Sequence, residues 1–172
     1  IKPEIDGKRL NRSYGLIGAE QHLMRYPGDT MDTHLTTGQE MFYESQMAPG
    51  RGAWGYFASA GGLTPKDIER EKWYIAVPTF ESQDYATRTK EYSDFFKYRK
   101  ILVVNPKTGQ AVVTDIADAG PATFTGKHLG GSPEVMWALG LAQGPRKGAV
   151  LYFFIDDPSD TIPLGPIKSK PL

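Results

Sequence analysis

The chain has 172 residues, with twenty basic and twenty acidic side chains and a formal net charge of zero. Its length suits one domain with room for an extended arm, and the balanced charge argues against a general nucleic-acid binder, which needs a basic surplus on at least one face. The lack of cysteine excludes disulfides and thiolate metal sites, and no apolar run approaches the ~18 residues of a membrane span.

With Ile1 first and no basic-then-apolar leader, the sequence reads as a processed or trimmed product. Residues 1–50 carry the least pattern. "YPGDTMDTHLTTGQE" is dense in turn formers and alternates poorly, so this stretch is expected to be an irregular arm packed on a core, with one helical turn near "AEQHLMRY". Tyr14, Met24, Tyr26, Met31, Met41, Phe42 and Tyr43 give the arm enough apolar surface to dock.

The texture changes after Gly50. "GAWGYFASAGG" alternates small and aromatic residues, which suits a strand whose glycines permit bending or close backbone approach. "LTPKDIEREKW" then carries a helix start, with Thr64 as N-cap, Pro65 at the first helical position, and Asp67 and Glu69 near the positive end of the dipole. "WYIAVPTF" reads as a short apolar strand ended by Pro78. "DYATRTKEYSDFFKYRK" suits either a loop or an exposed helix.

"KILVVNP" and "QAVVTDIAD" are two strand-like runs joined by "NPKTGQ", where Asn105, Pro106 and Gly109 supply turn geometry. By alternation Val112, Thr114 and Ile116 share one face and Val113, Asp115 and Ala117 the other, which places Asp118 with Thr114 and Ile116. "SPEVMWALGL" is a short helix with Ser132 as N-cap, Pro133 first, Glu134 in the first turn and Gly140 as the stop. "GAVLYFFIDDP" is a closing strand too apolar on both faces for a sheet edge, and Asp156 and Asp157 after it read as a solvated exit. Five or six short strands with one firm helix imply a small closed or half-closed barrel. The expected organisation is an arm over 1–50, a barrel over 51–158 and a tail over 159–172.

The order of these parts, with Asn105, Gly109, Asp118, Gly120, Pro121, Gly126, Lys127, Ser132, Leu139 and Gly140 in place, resembles the double-psi β-barrel of the rare lipoprotein A and expansin families. The resemblance covers residues 52–157. It implies a mainly β fold, a six-stranded double-psi β-barrel with one or two short helices, and a polysaccharide partner such as peptidoglycan or a cellulose-like glycan. It also implies an extracellular or cell-envelope location. Neither a cofactor nor a metal follows from it. The catalytic relatives use an Asp as general acid in the segment after the Gly-Pro corner, which here reads His128, Leu129, Gly130, Gly131; Gly130 stands where that acid is expected.

This departure separates three readings. In the first, the domain is a wall-binding or wall-remodelling module without the usual acid. In the second, it is a lytic transglycosylase-like enzyme cleaving peptidoglycan with Asp118 as general acid, Asp115 and Glu134 being weaker substitutes. In the third, it is a surface or assembly protein in which the barrel is scaffold. For Asp118 the plain alternative is that its carboxylate accepts backbone N–H groups and fixes the corner. His128 and Lys127 match the family's segment and would contact glycan; for His128 a surface or merely hydrogen-bonding role is the alternative. Trp54, Tyr56 and Trp73 would form a sugar-stacking floor unless they serve as core. His22, His34 and His128 are too scattered to show metal-ligand spacing.

Overall fold

The structure is a computed structural model and describes residues 4–5, 8–9, 13–20, 64–121 and 123–168. The expected strand "GAWGYFASAGG", residues 21–26 of the expected helical turn "AEQHLMRY", and Trp54, Tyr56, His22 and His34 lie outside these residues, while Ala19 at the start of that turn is in a strand.

Two short strands, β1 (Glu4–Ile5) and β2 (Lys8–Arg9), pair with each other. The remaining strands are β3 (Tyr14–Ala19), β4 (Tyr74–Val77), β5 (Lys100–Val104), β6 (Ala111–Ala119), β7 (Leu129–Gly131), β8 (Lys147–Phe154) and β9 (Gly165–Pro166). They run in the order β4-β7-β3-β8-β5-β6-β9, and a further β4–β6 pairing closes the first six into a barrel. The β3–β7 and β4–β6 pairs are parallel and the other four barrel pairs antiparallel. Exchanging the strand triplet β3, β4, β5 with β6, β7, β8 maps the six barrel pairings onto one another or onto themselves, so two interlocked halves build one double-psi barrel.

Local chemistry explains the elements. Helix α1 (Pro65–Lys72) opens with a reciprocal capping box: the Asp67 N–H donates to Thr64 Oγ1 at 3.2 Å, and the Thr64 N–H donates to Asp67 Oδ2 at 3.0 Å. The ambiguous charged stretch forms a 3-10 turn at Tyr85–Thr87 and then helix α2 (Thr89–Phe96). Tyr92 and Phe96 are its buried face and join Phe95 and Phe154 in an aromatic cluster. Helix α3 (Pro133–Ala138) is capped by Ser132, whose Oγ accepts the Val135 N–H and donates to Lys72 O at 2.7 Å. At the β5–β6 turn, the Asn105 side-chain amide donates to Leu139 O at 2.8 Å, which ties the hairpin to the end of α3.

The barrel interior is apolar, with Ile17, Ile75, Ile101, Val103, Ile116, Val150 and Phe154 among its buried members. The structure differs from three sequence expectations. Tyr14–Ala19, inside the stretch read as irregular arm, is a full barrel strand between β7 and β8. Gly165–Pro166, in the expected tail, adds to the edge of β6. Asp157 is not a solvated exit: its side chain is buried against Lys100, with Lys100 Nζ donating to Asp157 Oδ2 at 2.6 Å.

Candidate functional site

Asp118 takes the face opposite to the one alternation assigns. In the β4–β6 ladder Ile75 pairs with Ile116 and Ala76 with Asp118, so Ala117 is passed over as a bulge. One extra residue reverses the alternation. Ile116 points into the barrel and Asp118 away from it.

That reversal completes a row across four strands. Gly18 pairs with Gly130, Gly130 with Ala76, and Ala76 with Asp118. Partners in register share a face, and the row faces outward, because a side chain at the neighbouring Gly131 would instead meet Ile17, Met136 and Val135 in the core. At about 4.8 Å per strand, Gly130 and Asp118 are roughly 10 Å apart.

The glycines of the row are dictated by what lies over them. A Cβ at Gly130 would come within 2.3 Å of Glu20 Cγ and 2.5 Å of Glu20 Oε1, and one at Gly18 would come within 2.6 Å of Lys127 Cδ. Glu20, the residue after β3, therefore occupies the space that a side chain at position 130 would fill. Its backbone N–H donates to Gly131 O at 2.7 Å, and its Oε1 accepts from Lys127 Nζ at 3.1 Å. Lys127 Nζ also donates to Ala19 O at 3.2 Å. At the other end of the row, Asp118 Oδ1 accepts the Ala119 N–H at 2.8 Å, and the side chain is half-buried. The corner-fixing role weighed for Asp118 is thus present on one oxygen.

His128 sits beside this row. Its Nδ1 accepts the Leu16 N–H at 2.9 Å, its ring lies over Gly15, and its backbone N–H donates to Leu16 O at 2.8 Å. Accepting at Nδ1 leaves Nε2 to carry the ring proton. Glu134, on α3, is half-buried.

Asp115 belongs to a different place. It is 1% exposed, and neither carboxyl oxygen has a hydrogen-bond partner among the described residues. Arg70 Nε lies 3.6 Å from Oδ2, and that guanidinium also stacks 3.8 Å from the Tyr98 ring centroid. These groups, with Lys100, Asp160 and Ile162, line a cavity of about 160 Å³ between α1 and the segment after β8. Burial pushes the Asp115 carboxyl well above the usual carboxylate range, against the lowering pull of Arg70. Lys100 donates to Asp157, Asp160 and Ile162 O; hydrogen bonds from Lys100 hold Asp157 and Asp160 below the usual range.

These opposite shifts fix a pH dependence. A raised Asp115 means stability is present at pH values below 3.8, its unfolded value, and is lost as pH rises through the folded value. The lowered Asp157 and Asp160 contribute stability that is present above 3.8 and lost as pH falls through their folded values. The melting temperature is expected to rise as pH falls from 7 toward about 4 and to drop below that. Asp115→Asn is expected to be more stable than the parent at pH 7, by on the order of 1 kcal/mol, and equal to it near pH 3. A parent whose stability climbs steadily from pH 4 to 7 would contradict this.

Trp73 is not presented to a ligand. It is 7% exposed, its Nε1–H donates to Glu69 Oε1 at 2.9 Å, and its indole packs on Gly165. Among the described residues no group of three His, Asp or Glu side chains is placed to hold a metal ion, and no helix is long and apolar enough to cross a membrane. Glu20 carried no sequence signal beyond its acidity, because the glycines at 15 and 18 break the apolar alternation of the strand before it.

No family model and no curated protein matches the chain. Among solved structures it is similar to the apo form of an expansin from Clavibacter michiganensis, at 20% identity and a TM-score of 0.43. The match covers 85% of this chain and 51% of that one, so this chain spans about half the length of its structural relative.

Proposed function

We propose that the chain is a glycan-binding module of the cell envelope that holds wall polysaccharide without hydrolysing it. The observation that carries this is the pair of partly exposed acidic side chains on the outer face of the barrel, Glu20 over the buried Gly130 and Asp118 beside the buried Ala76. Two carboxylates on one outer face suit the hydroxyls of successive sugars, each being a strong acceptor for O–H donors. Lys127 and His128, next to the row, supply a cation and a ring N–H.

The reading of binding without cleavage rests on the glycine at position 130, where the resemblance expects the acid. Glu20 Oε1 accepts from the Lys127 ammonium and Asp118 Oδ1 accepts a backbone N–H. One oxygen of each carboxyl is thus engaged as an acceptor.

Co-sedimentation with insoluble peptidoglycan and with cellulose tests the reading. Retention of the parent chain is expected on at least one of them. The pair Glu20→Gln with Asp118→Asn is expected to weaken it roughly tenfold or more, since hydrogen bonds to charged groups are worth about 1.5–3 kcal/mol. Equal retention of parent and double variant would remove the row from the binding surface.

A further inference from the structure

We propose that the chain carries a second sugar-binding site, a cleft built around Trp137. The cleft has a volume of about 510 Å³ and lies between α3, the β5–β6 turn and β9. Trp137 is 66% exposed, although Val135, Met136 and Ala138 around it on α3 are buried. Thr108, Gln110, Ala138, Pro166 and Ile167 line the cleft with it, and no charged side chain does among the described residues.

The indole is held on a fixed frame. Ser132 caps α3, and the Asn105 amide joins the turn to Leu139 O, one residue past the helix. On the opposite wall the Ile167 N–H donates to Ala111 O at 2.9 Å, next to the β9 pairing with β6. The rim is polar in a defined way. Thr108 Oγ1 donates to Gln110 Oε1 at 2.9 Å, and that oxygen lies against Gly140, where a Cβ would come within 2.5 Å of it. With Oε1 occupied, the Gln110 side-chain NH₂ is the group left to donate.

A flat exposed aromatic face, a neutral lining and an amide donor at the rim suit a ligand that is uncharged, has an apolar ring face and carries hydroxyls at its edge. A pyranose ring has all three properties. An acidic or basic peptide, or a nucleic acid, would find no counter-charge in the lining. Naming a glycan as the ligand rests on the function proposed above, but the cleft shares no residue with the Glu20–Asp118 row.

Titration of the ¹⁵N-labelled chain with cellohexaose and with the tetramer of N-acetylglucosamine tests this, with a proline-rich decapeptide as the competing class of ligand. The Trp137 indole N–H and the Gln110 side-chain amide signals are expected to shift saturably with at least one sugar and not with the peptide. Trp137→Ala is expected to weaken that response roughly tenfold, while Trp137→Phe retains most of it. Shifts at Trp137 and Gln110 without shifts at Gly130 and Ala76 would uphold the cleft and remove the row. Shifts at the row alone, shifts at Trp137 with the peptide alone, or no shifts at all would overturn the cleft.

Discussion

Replacing Val103 by aspartate is expected to abolish cooperative folding. Val103 is 0% exposed and lies between two neighbouring strands, paired from β5 with Val112 on β6 and with Tyr152 on β8. Its side chain is part of the barrel interior, where no basic group accompanies it. An unpaired charge there costs several kcal/mol, against a total stability of about 5–15 kcal/mol for a typical domain. Val113→Asp is expected to destabilise as well, but less, because Val113 is buried on the outer face beside the short β9 edge. Thermal melts followed by near-ultraviolet circular dichroism read both. A Val103→Asp protein that melts like the parent would show that β5 faces the other way.

The second large effect is expected at Gly130. Gly130→Ala places a methyl group 2.3 Å from Glu20 Cγ and 2.5 Å from Glu20 Oε1, so the Glu20 side chain must leave its place. The substitution is expected to cost about 1–3 kcal/mol through forced displacement of Glu20 and strain in β7. Glu20→Ala alone removes a half-exposed ion pair with Lys127 and is expected to cost under about 1 kcal/mol. In the double variant the clash has no partner, so the coupling between the two sites is expected to be about 1–2 kcal/mol in the favourable direction. Denaturant unfolding of the four proteins measures it. Additive losses would show that Glu20 does not occupy the space above Gly130.

The elements legible in the sequence are those whose causes are local. Thr64 with Pro65 and Asp67 specifies the start of α1, and Ser132 with Pro133 specifies α3, because caps are satisfied within one turn. The Asn105–Gly109 turn is equally local, with Gly109 at φ +74°. The strand at Tyr14–Ala19 was not legible, because its glycines answer to Lys127 and His128, more than a hundred residues away. Its partner β7 is also distant and parallel, so no turn announces the pairing.

The site was legible in its corner and hidden in its neighbour. Asp118 stands out beside Gly120 and Pro121, but its orientation depends on the Ala117 bulge, which simple alternation does not contain. The glycine at position 130 reads in sequence as a lost acid. In the fold, a different acid, Glu20, lies over that glycine, brought there by strand pairing alone. Trp73 and Trp137 show the same limit in reverse: both sit in or beside short helices, and only tertiary packing buries the first and exposes the second.

The most direct measurement is incubation of the purified chain with isolated peptidoglycan sacculi, followed by mass spectrometry of the soluble fraction and assay of the protein kept on the wall. The proposed function predicts no soluble glycan fragments, and protein on the sacculi if peptidoglycan is the polymer that retains the chain in co-sedimentation. Release of anhydro-muropeptides would contradict it, and its loss in Asp118→Asn or in Glu20→Gln would identify which of the two acids donates the proton.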